Sequence, residues 1–293
     1  MSNYDSGPKQ AKAPSLYRGR LAPTPSGRLH LGHGRTFWLA ALRARAHHGE
    51  LFLRIEDVDQ ARCSSKFEKL ILEDLHDLGL LWETPIVRQS ERFAKYREAA
   101  GQLAAGGFIY PSNHSRAEIR SLATSHERGD RQPLFPTDLR PSRTPTEFDP
   151  SRPWRFRVPD GEEVSFHDQI VGPRSYLAGT DFGDFLVWSR HGWPSYELAV
   201  VVDDLDMRIS EVVRGADLLK STARQSLIYS ALGSAPPDFA HCPLICDPEG
   251  NKLSKSFGSP PLLGSTPPIE LRNEALRLYR NLFSTTPEER AFR

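Results

Sequence analysis

Arg20-Leu21-Ala22-Pro23-Thr24-Pro25-Ser26-Gly27-Arg28-Leu29-His30-Leu31-Gly32-His33 is the stretch from which the rest of the chain is read. Residues 17–22 read as an apolar strand. Pro23 and Pro25 then forbid regular sheet pairing, because neither can donate to a ladder. Ser26-Gly27 permits a turn, and a helix is predicted from near Gly32 to about Ala46. A strand that feeds a helix through such a turn leaves unpaired N–H groups at the helix N-terminus, a ready site for phosphate. His30 and His33 can both face that site, and Gly32 lets the backbone approach it closely.

Working outward, Leu51-Phe52-Leu53-Arg54-Ile55 reads as the next strand. Phe67, Leu70, Ile71, Leu75 and Leu78 follow at helical spacing, with Gly79 as the stop. Phe93, Tyr96, Ala100 and Leu103 mark another helix, closed by Gly106-Gly107. Strands alternating with helices predict an α/β fold with a parallel sheet. The pattern then breaks. Residues 125–153 carry prolines at 133, 136, 141, 145, 150 and 153 and many charges, and read as an irregular connector. Short strands are predicted at 154–158, 163–166 and 185–189. Regularity returns at Tyr196. Val200-Val201-Val202 reads as a buried parallel strand with Asp203 and Asp204 at its carboxyl end, where open α/β sheets bind ligands. Helices are predicted over 217–232 and 269–283. The expected organisation is a disordered leader (1–16), a first α/β half (17–106), an insertion (107–192), a second half (193–263), and a C-terminal helix and tail (264–293).

Composition limits the functional classes. Charged residues make up 26% and hydrophobic residues 38% of 293 positions, which suits a globular protein. No apolar run approaches the roughly 20 residues of a membrane span, and the polar start lacks the apolar core of a secretory signal. Three cysteines, Cys63, Cys242 and Cys246, are too scattered for a disulfide framework. They fit a reducing cytoplasm, the expected compartment. Cys242 and Cys246 have the spacing of half a metal site without a second ligand pair, so they read as buried thiols. A formal net charge of +1 neither requires nor excludes a nucleic-acid partner, which needs only a local basic face.

Lys252-Leu253-Ser254-Lys255-Ser256 follows the turn-prone Asp247-Pro248-Glu249-Gly250. Two lysines on a mobile loop can follow charge as it develops on a pyrophosphate leaving group. With His30 and His33, they predict nucleotidyl transfer from ATP to a carboxylate. Such a reaction brings two anions together and needs positioning and cationic or N–H stabilisation more than a covalent nucleophile.

These two motifs resemble the His-Ile-Gly-His and Lys-Met-Ser-Lys-Ser signatures of class I aminoacyl-tRNA synthetases. Four further stretches extend the resemblance to glutamyl-tRNA synthetases over roughly residues 17–263: Arg20 to Gly27, Leu53 to Asp59, Tyr196 to Asp204, and Val213 to Asp217. The resemblance implies a Rossmann-like catalytic domain with an inserted mixed α+β subdomain and a short C-terminal helix. It implies His30, His33, Lys252 and Lys255 as catalytic residues, with His30, Gly32, His33 and Lys255 on ATP, and Mg²⁺ accompanying the nucleotide. It further implies L-glutamate as substrate, held by Arg20, Ala22, Thr24, Glu56, Tyr196 and Arg214. The chemistry of these residues agrees: Arg20 and Arg214 can pair with carboxylates, Glu56 can accept from an ammonium, and Tyr196 adds a hydroxyl. Which arginine takes the side-chain carboxylate stays open.

Two positions depart from the family. Its cysteine-rich zinc knuckle falls here on Ser112, Asn113, His114 and Ser115, with Phe135 and Leu139 at the later partner positions. Hydroxyl, phenyl and isobutyl groups do not replace thiolates, so no zinc is expected. Glu197 stands where Asn or Gln is usual; strand alternation would turn it away from Tyr196.

Fewer than about 40 residues follow Ser256, below the roughly 50 usual for a domain, so no anticodon-reading region is expected in this chain. Short members of the family imply a different acceptor: tRNA-independent activation of glutamate, then transfer to queuosine at the wobble position of tRNA(Asp), by a monomer. The alternatives are a minimal synthetase charging a tRNA 3′ end, and a non-catalytic tRNA-binding protein.

Overall fold

The computed structural model describes residues 16–128, 132–245 and 267–283. The expected leader before residue 16, Cys246, the turn at 247–250 and the lysine loop at 252–256 lie outside the described residues.

The opening stretch folds as the sequence predicts. β1 (Arg18–Leu21) leads through the two prolines into α1 (Leu31–Ala46). β2 (Glu50–Ile55), α2 (Ser65–Asp77), β3 (Glu83–Arg88) and α3 (Phe93–Ala105) follow. Gly79 ends the α2 region with φ +71°, a conformation that disfavours a Cβ. Strands β1, β2 and β3 pair in parallel, in that order.

The middle of the chain holds β4 (Ile109–Pro111), α4 (Arg116–Leu122), β5 (Trp154–Phe156), β6 (Glu163–Asp168), β7 (Gly172–Leu177) and β8 (Phe185–Trp188). It divides in two. β4, β5 and β8 form a small antiparallel sheet. The β6–β7 hairpin instead joins the second half of the nucleotide-binding fold. There, β9 (Glu211–Gly215) and β10 (Asp238–Cys242) run parallel, and β6 pairs with β10 at Asp168 and Phe239. β9 lies beside β1, joined by the Ser210 N–H to the Arg18 carbonyl at 2.9 Å and by the Arg20 Nη1 to the Val213 carbonyl at 3.1 Å. The carboxyl ends of β1 and β9 therefore meet, and so do the residues that follow them.

One correction concerns 196–206. The Val200-Val201-Val202 run is not a strand. Tyr196–Asp206 is a helix, α5, capped by the Ser195 hydroxyl accepting from the Leu198 N–H at 3.3 Å. Its residues from Leu198 to Asp204 are all buried. A helix covered on every side loses the polar face that reveals its period, so its apolar run imitates a strand. Asp203 and Asp204 accordingly occupy the last turn of a buried helix. Glu197, one helical step from Tyr196, is not turned to an opposite face.

α6 (Leu219–Ala231) follows a short 3₁₀ turn at Ala216–Leu218, and α7 (Pro268–Phe283) packs on α1. Among the described residues, two large apolar cores result. Leu21, Leu53, Ile55, Leu39, Ile71, Leu75, Leu271 and Ala275 fill one, under α1, α2 and α7. Tyr96, Leu103, Trp154, Trp188, Val201 and Ile228 fill the other, where α3, α5 and α6 meet β5 and β8. This is a Rossmann-like α/β arrangement with helices on both sides of the parallel strands.

Candidate active site

At the start of α1, His30 and His33 cap each other. The His30 Nδ1 accepts from the Gly32 N–H at 3.1 Å, and the His33 Nδ1 accepts from the His30 N–H at 3.3 Å. Backbone N–H groups only donate, so each neutral imidazole must carry its proton on Nε2. The rings lie 3.8 Å apart between centroids, and each has an Nε2–H donor fixed by the backbone. No acidic residue occupies the first turn of α1, so the positive end of the helix dipole is not neutralised there. Gly32 has a further role: a Cβ would stand 3.0 Å from the His30 ring. A side chain there would displace the cap.

The floor of the site is a buried charge cluster. Arg54, on β2, is fully buried and reaches Asp204 at 2.6 Å, Glu56 at 3.0 Å and Asp203 at 3.8 Å. Asp203 also accepts from Arg92 at 2.6 Å, Gln89 at 2.8 Å and the Tyr96 hydroxyl at 3.0 Å. Arg20 approaches Asp204 at 3.5 Å. Burial holds the Arg20 guanidinium below its ordinary value, and Asp204 opposes that effect. Burial also pushes the Glu56 carboxyl up, against the pull of Arg54 and Arg20.

Arg214, at the end of β9, is buried except for its cleft edge. Its Nε donates to the His241 Nε2 at 3.1 Å, its Nη2 to the Thr222 hydroxyl at 2.6 Å, and its Nη1 to the Tyr196 hydroxyl at 3.4 Å. Tyr196 is 38% exposed, into the cleft. The cleft walls desolvate the phenol and raise it to about 12, so it is a neutral hydrogen-bonding group at physiological pH.

Arg20, Ala22, Thr24, His30, Gly32, His33, Glu56, Tyr196 and Arg214 all line one cleft of about 1760 Å³. That exceeds the roughly 300–1000 Å³ of ordinary small-ligand pockets, leaving room for more than one substrate. Lys252 and Lys255 lie outside the described residues. Glu197 lines the same cleft rather than facing away. Ser221 donates to it at 3.1 Å, Gln225 at 3.4 Å, and Arg224 lies 3.8 Å away. Burial nevertheless raises its carboxyl, because these partners only partly offset desolvation. Its extra charge is thus bound locally on α6.

Sequence reasoning missed Arg54, Thr222, His241 and Asp168 as parts of this site, and set Asp203 at a strand end rather than on a buried helix. His241, between the buried Ala240 and Cys242 near the end of β10, was the available signal. At the zinc-knuckle positions, Phe135 packs with Tyr110, Ile119 and Leu139, and the Arg155 guanidinium lies 4.7 Å from its ring centre. This donor set does not fit zinc. Among the described residues, no group of three or more His, Cys, Asp or Glu could hold a metal ion, and no helix is long and apolar enough to cross a membrane.

Residues 17–259 match the family described as tRNA synthetases class I (E and Q), catalytic domain. A glutamyl-Q tRNA(Asp) synthetase of Symbiobacterium thermophilum is 44% identical over 260 residues, covering 84% of this chain and 80% of that protein. A glutamate–tRNA ligase of Synechococcus sp. is 38% identical over 282 residues, covering 93% of this chain but 58% of its own length. A crystal structure of a glutamate tRNA ligase from Elizabethkingia meningosepticum, in complex with its amino acid, superposes with a TM-score of 0.69 at 31% identity. That match covers 83% of this chain and 53% of the other, so the chain spans little more than half the length of such ligases. The chain belongs to the class I tRNA synthetases for E and Q, ligases of the aminoacyl-tRNA synthetase type, and carries their catalytic domain.

Proposed function

We propose that the cleft activates L-glutamate with ATP to form glutamyl-adenylate, and then passes the glutamyl group to queuosine at the wobble position of tRNA(Asp). The observation that carries the first step is the convergence of Arg20, Glu56, Tyr196 and Arg214 beside the α1 N-terminus in one cleft. Glutamate brings two carboxylates and an ammonium, and the cleft offers two guanidiniums and a carboxylate. Ala22 and Thr24 complete the amino-acid wall. His30, Gly32 and His33 serve ATP, with Lys252 and Lys255 acting on the leaving pyrophosphate. Mg²⁺ enters with the phosphates of ATP.

The Nε2–H groups of His30 and His33 supply donors where negative charge grows on the α-phosphate. His33→Ala is expected to slow adenylate formation about 10²-fold, the cost of one such donor. Near-normal ATP–pyrophosphate exchange in that variant contradicts the role.

Glu56 gives the reaction a pH signature. Only its ionised form pairs with the ammonium as an opposite charge, and burial raises its pKa. Activity toward glutamate therefore falls as pH drops through a value above the ordinary carboxylate range. Folding runs the other way: a raised carboxyl stabilises the fold while protonated, and that contribution is lost as pH rises through the raised pKa. A pH profile of kcat/KM checks this. An acid limb at or below the ordinary range contradicts it.

Support for the queuosine step comes from the 44% identity and mutual coverage with the glutamyl-Q relative, and from a cleft that extends past the glutamate pocket to His114, Arg120, Arg155, Arg190, His191 and Trp193. Cations and aromatic faces suit a phosphate backbone and an unstacked base. Incubation with ATP, labelled glutamate and queuosine-bearing tRNA(Asp) tests the step. Label on the anticodon nucleoside supports it, and label only on the 3′ end of tRNA(Glu) refutes it. The second reading, a synthetase charging a 3′ end, is favoured by the identity to glutamate–tRNA ligases.

A further inference from the structure

Behind Arg214 lies a buried polar chain that the reaction itself does not use. His241 is fully buried on β10. Its Nδ1 lies 2.6 Å from the Asp168 Oδ2, and its backbone N–H donates to the same carboxylate at 3.0 Å. The Asp168 Oδ1 accepts from the Ile170 and Val171 N–H groups, both at 2.9 Å. Burial alone would raise Asp168, but the hydrogen bonds from His241, Val171 and Ile170 outweigh it and keep the group ionised. Burial lowers His241, Asp168 only partly offsets this, and Arg214 and Arg20 lower it further, so the ring is neutral at physiological pH.

The donor and acceptor types leave one arrangement. A carboxylate can only accept, so the His241 Nδ1 carries the proton. A guanidinium can only donate, so the His241 Nε2 must accept from the Arg214 Nε at 3.1 Å. Thr222 then holds the other branch of the fork at 2.6 Å. Two of the three nitrogens of Arg214 are thereby fixed, and Nη1 lies toward Tyr196 and the cleft.

We propose that Asp168 and His241 form a buried relay that positions Arg214 for a glutamate carboxylate. This rests on Arg214 being a glutamate ligand. The relay also gives the β6–β7 hairpin a role in amino-acid affinity, because Asp168 closes β6 at the point where that strand meets β10. Neither relay residue touches substrate; both act through the guanidinium.

Asp168→Asn separates this role from packing, because it preserves shape and changes donor type. The side-chain oxygen stays with the Ile170 and Val171 N–H groups, so the amide NH₂ faces His241. Nδ1 must then accept and the ring proton moves to Nε2, which can give it to the Thr222 hydroxyl 2.9 Å away but can no longer accept from the Arg214 Nε. This is the wrong-tautomer effect of an Asp-to-Asn change behind a histidine.

Two measurements on the full chain test it: ring ¹⁵N shifts of labelled histidine, and glutamate-dependent ATP–pyrophosphate exchange. In the parent, His241 is protonated on Nδ1 and bare on Nε2. In Asp168→Asn the proton sits on Nε2 and the glutamate KM rises about 10–100-fold, the scale seen when a supporting partner of a ligand-holding side chain is lost. The KM for ATP stays near the parent value. His241→Gln, whose amide oxygen can still accept from Arg214, leaves the glutamate KM closer to the parent than Asp168→Asn does. An unchanged glutamate KM after the tautomer shift overturns the relay, as does the reverse order of the two variants. Should Asp168→Asn fail to fold, the parent spectrum decides, and Nε2 protonation overturns the proposal. A parent that shows the Nδ1 tautomer but no glutamate-dependent exchange refutes the glutamate assignment while leaving the geometry of the relay intact.

Discussion

Arg214→Ala is expected to lower kcat/KM for glutamate in ATP–pyrophosphate exchange by about 10³-fold, equivalent to about 4 kcal/mol. The size follows from where the guanidinium sits. His241 and Thr222 hold it on the protein side, and its Nη1 approaches the Tyr196 hydroxyl. A carboxylate docked there is desolvated and meets a cation already in place, so little ordering is left to lose on binding. Truncation removes that cation and leaves the carboxylate facing Glu56 and Glu197 in the same cleft. Arg214→Lys is expected to recover only part of the loss, since an ammonium cannot reproduce the planar fork. A loss below about tenfold for Arg214→Ala would remove this residue from the glutamate site.

The second large effect concerns folding. Arg54→Leu is expected to cost about 3–5 kcal/mol of stability, because it leaves buried carboxylates without their shared cation. Asp204 and Glu56 lose their closest cation, at 2.6 and 3.0 Å. Asp203 keeps Arg92, Gln89 and Tyr96, which limits the damage. Equilibrium unfolding in urea measures this as a fall in midpoint at unchanged slope. A loss of less than about 1 kcal/mol contradicts the view that Arg54 neutralises the floor of the site. The cluster explains how a pocket can hold Arg20 and Glu56 side by side under a sheet. Arg54 lies between Glu56 and Asp204 as their shared cation, and Asp204 in turn faces Arg20.

What the sequence made legible follows from how local each signal is. The turn at Pro23–Gly27, the paired histidines and α1 are set by residues within a few positions of one another. Proline chemistry, glycine freedom and helix capping act at that range. The residues proposed to hold the amino acid came from the family resemblance, and Arg20, Ala22, Thr24, Glu56, Tyr196 and Arg214 all line one cleft. Burial defeated the reading of 196–206: packed on every side, α5 shows no polar stripe, and a run of three valines passes for a strand. With it went the expectation that Glu197 faces away. The His241–Asp168 pair was illegible for a different reason. The two residues are 73 positions apart, and only the pairing of β6 with β10 brings them together. A lone histidine in an apolar strand reads locally as a core residue. Strands β3, β7, β9 and β10 were likewise fixed by their neighbours in the sheets more than by their own pattern.

The insertion also has a place in the chemistry. Its small β4–β5–β8 sheet carries residues at the outer cleft, while β6 and β7 extend the parallel strands beneath Arg214. In the function proposed above, the same segment meets the end of the cleft assigned to the acceptor and supports the end assigned to the amino acid.

The central claim is that the described cleft activates glutamate. ATP–[³²P]pyrophosphate exchange by the purified protein, with each amino acid in turn and no tRNA present, tests it most directly. The account predicts exchange with L-glutamate, weaker exchange with L-glutamine, and weaker still with L-aspartate, whose side chain is one methylene shorter. Exchange that is absent with glutamate, or equal for glutamate and glutamine, would contradict it.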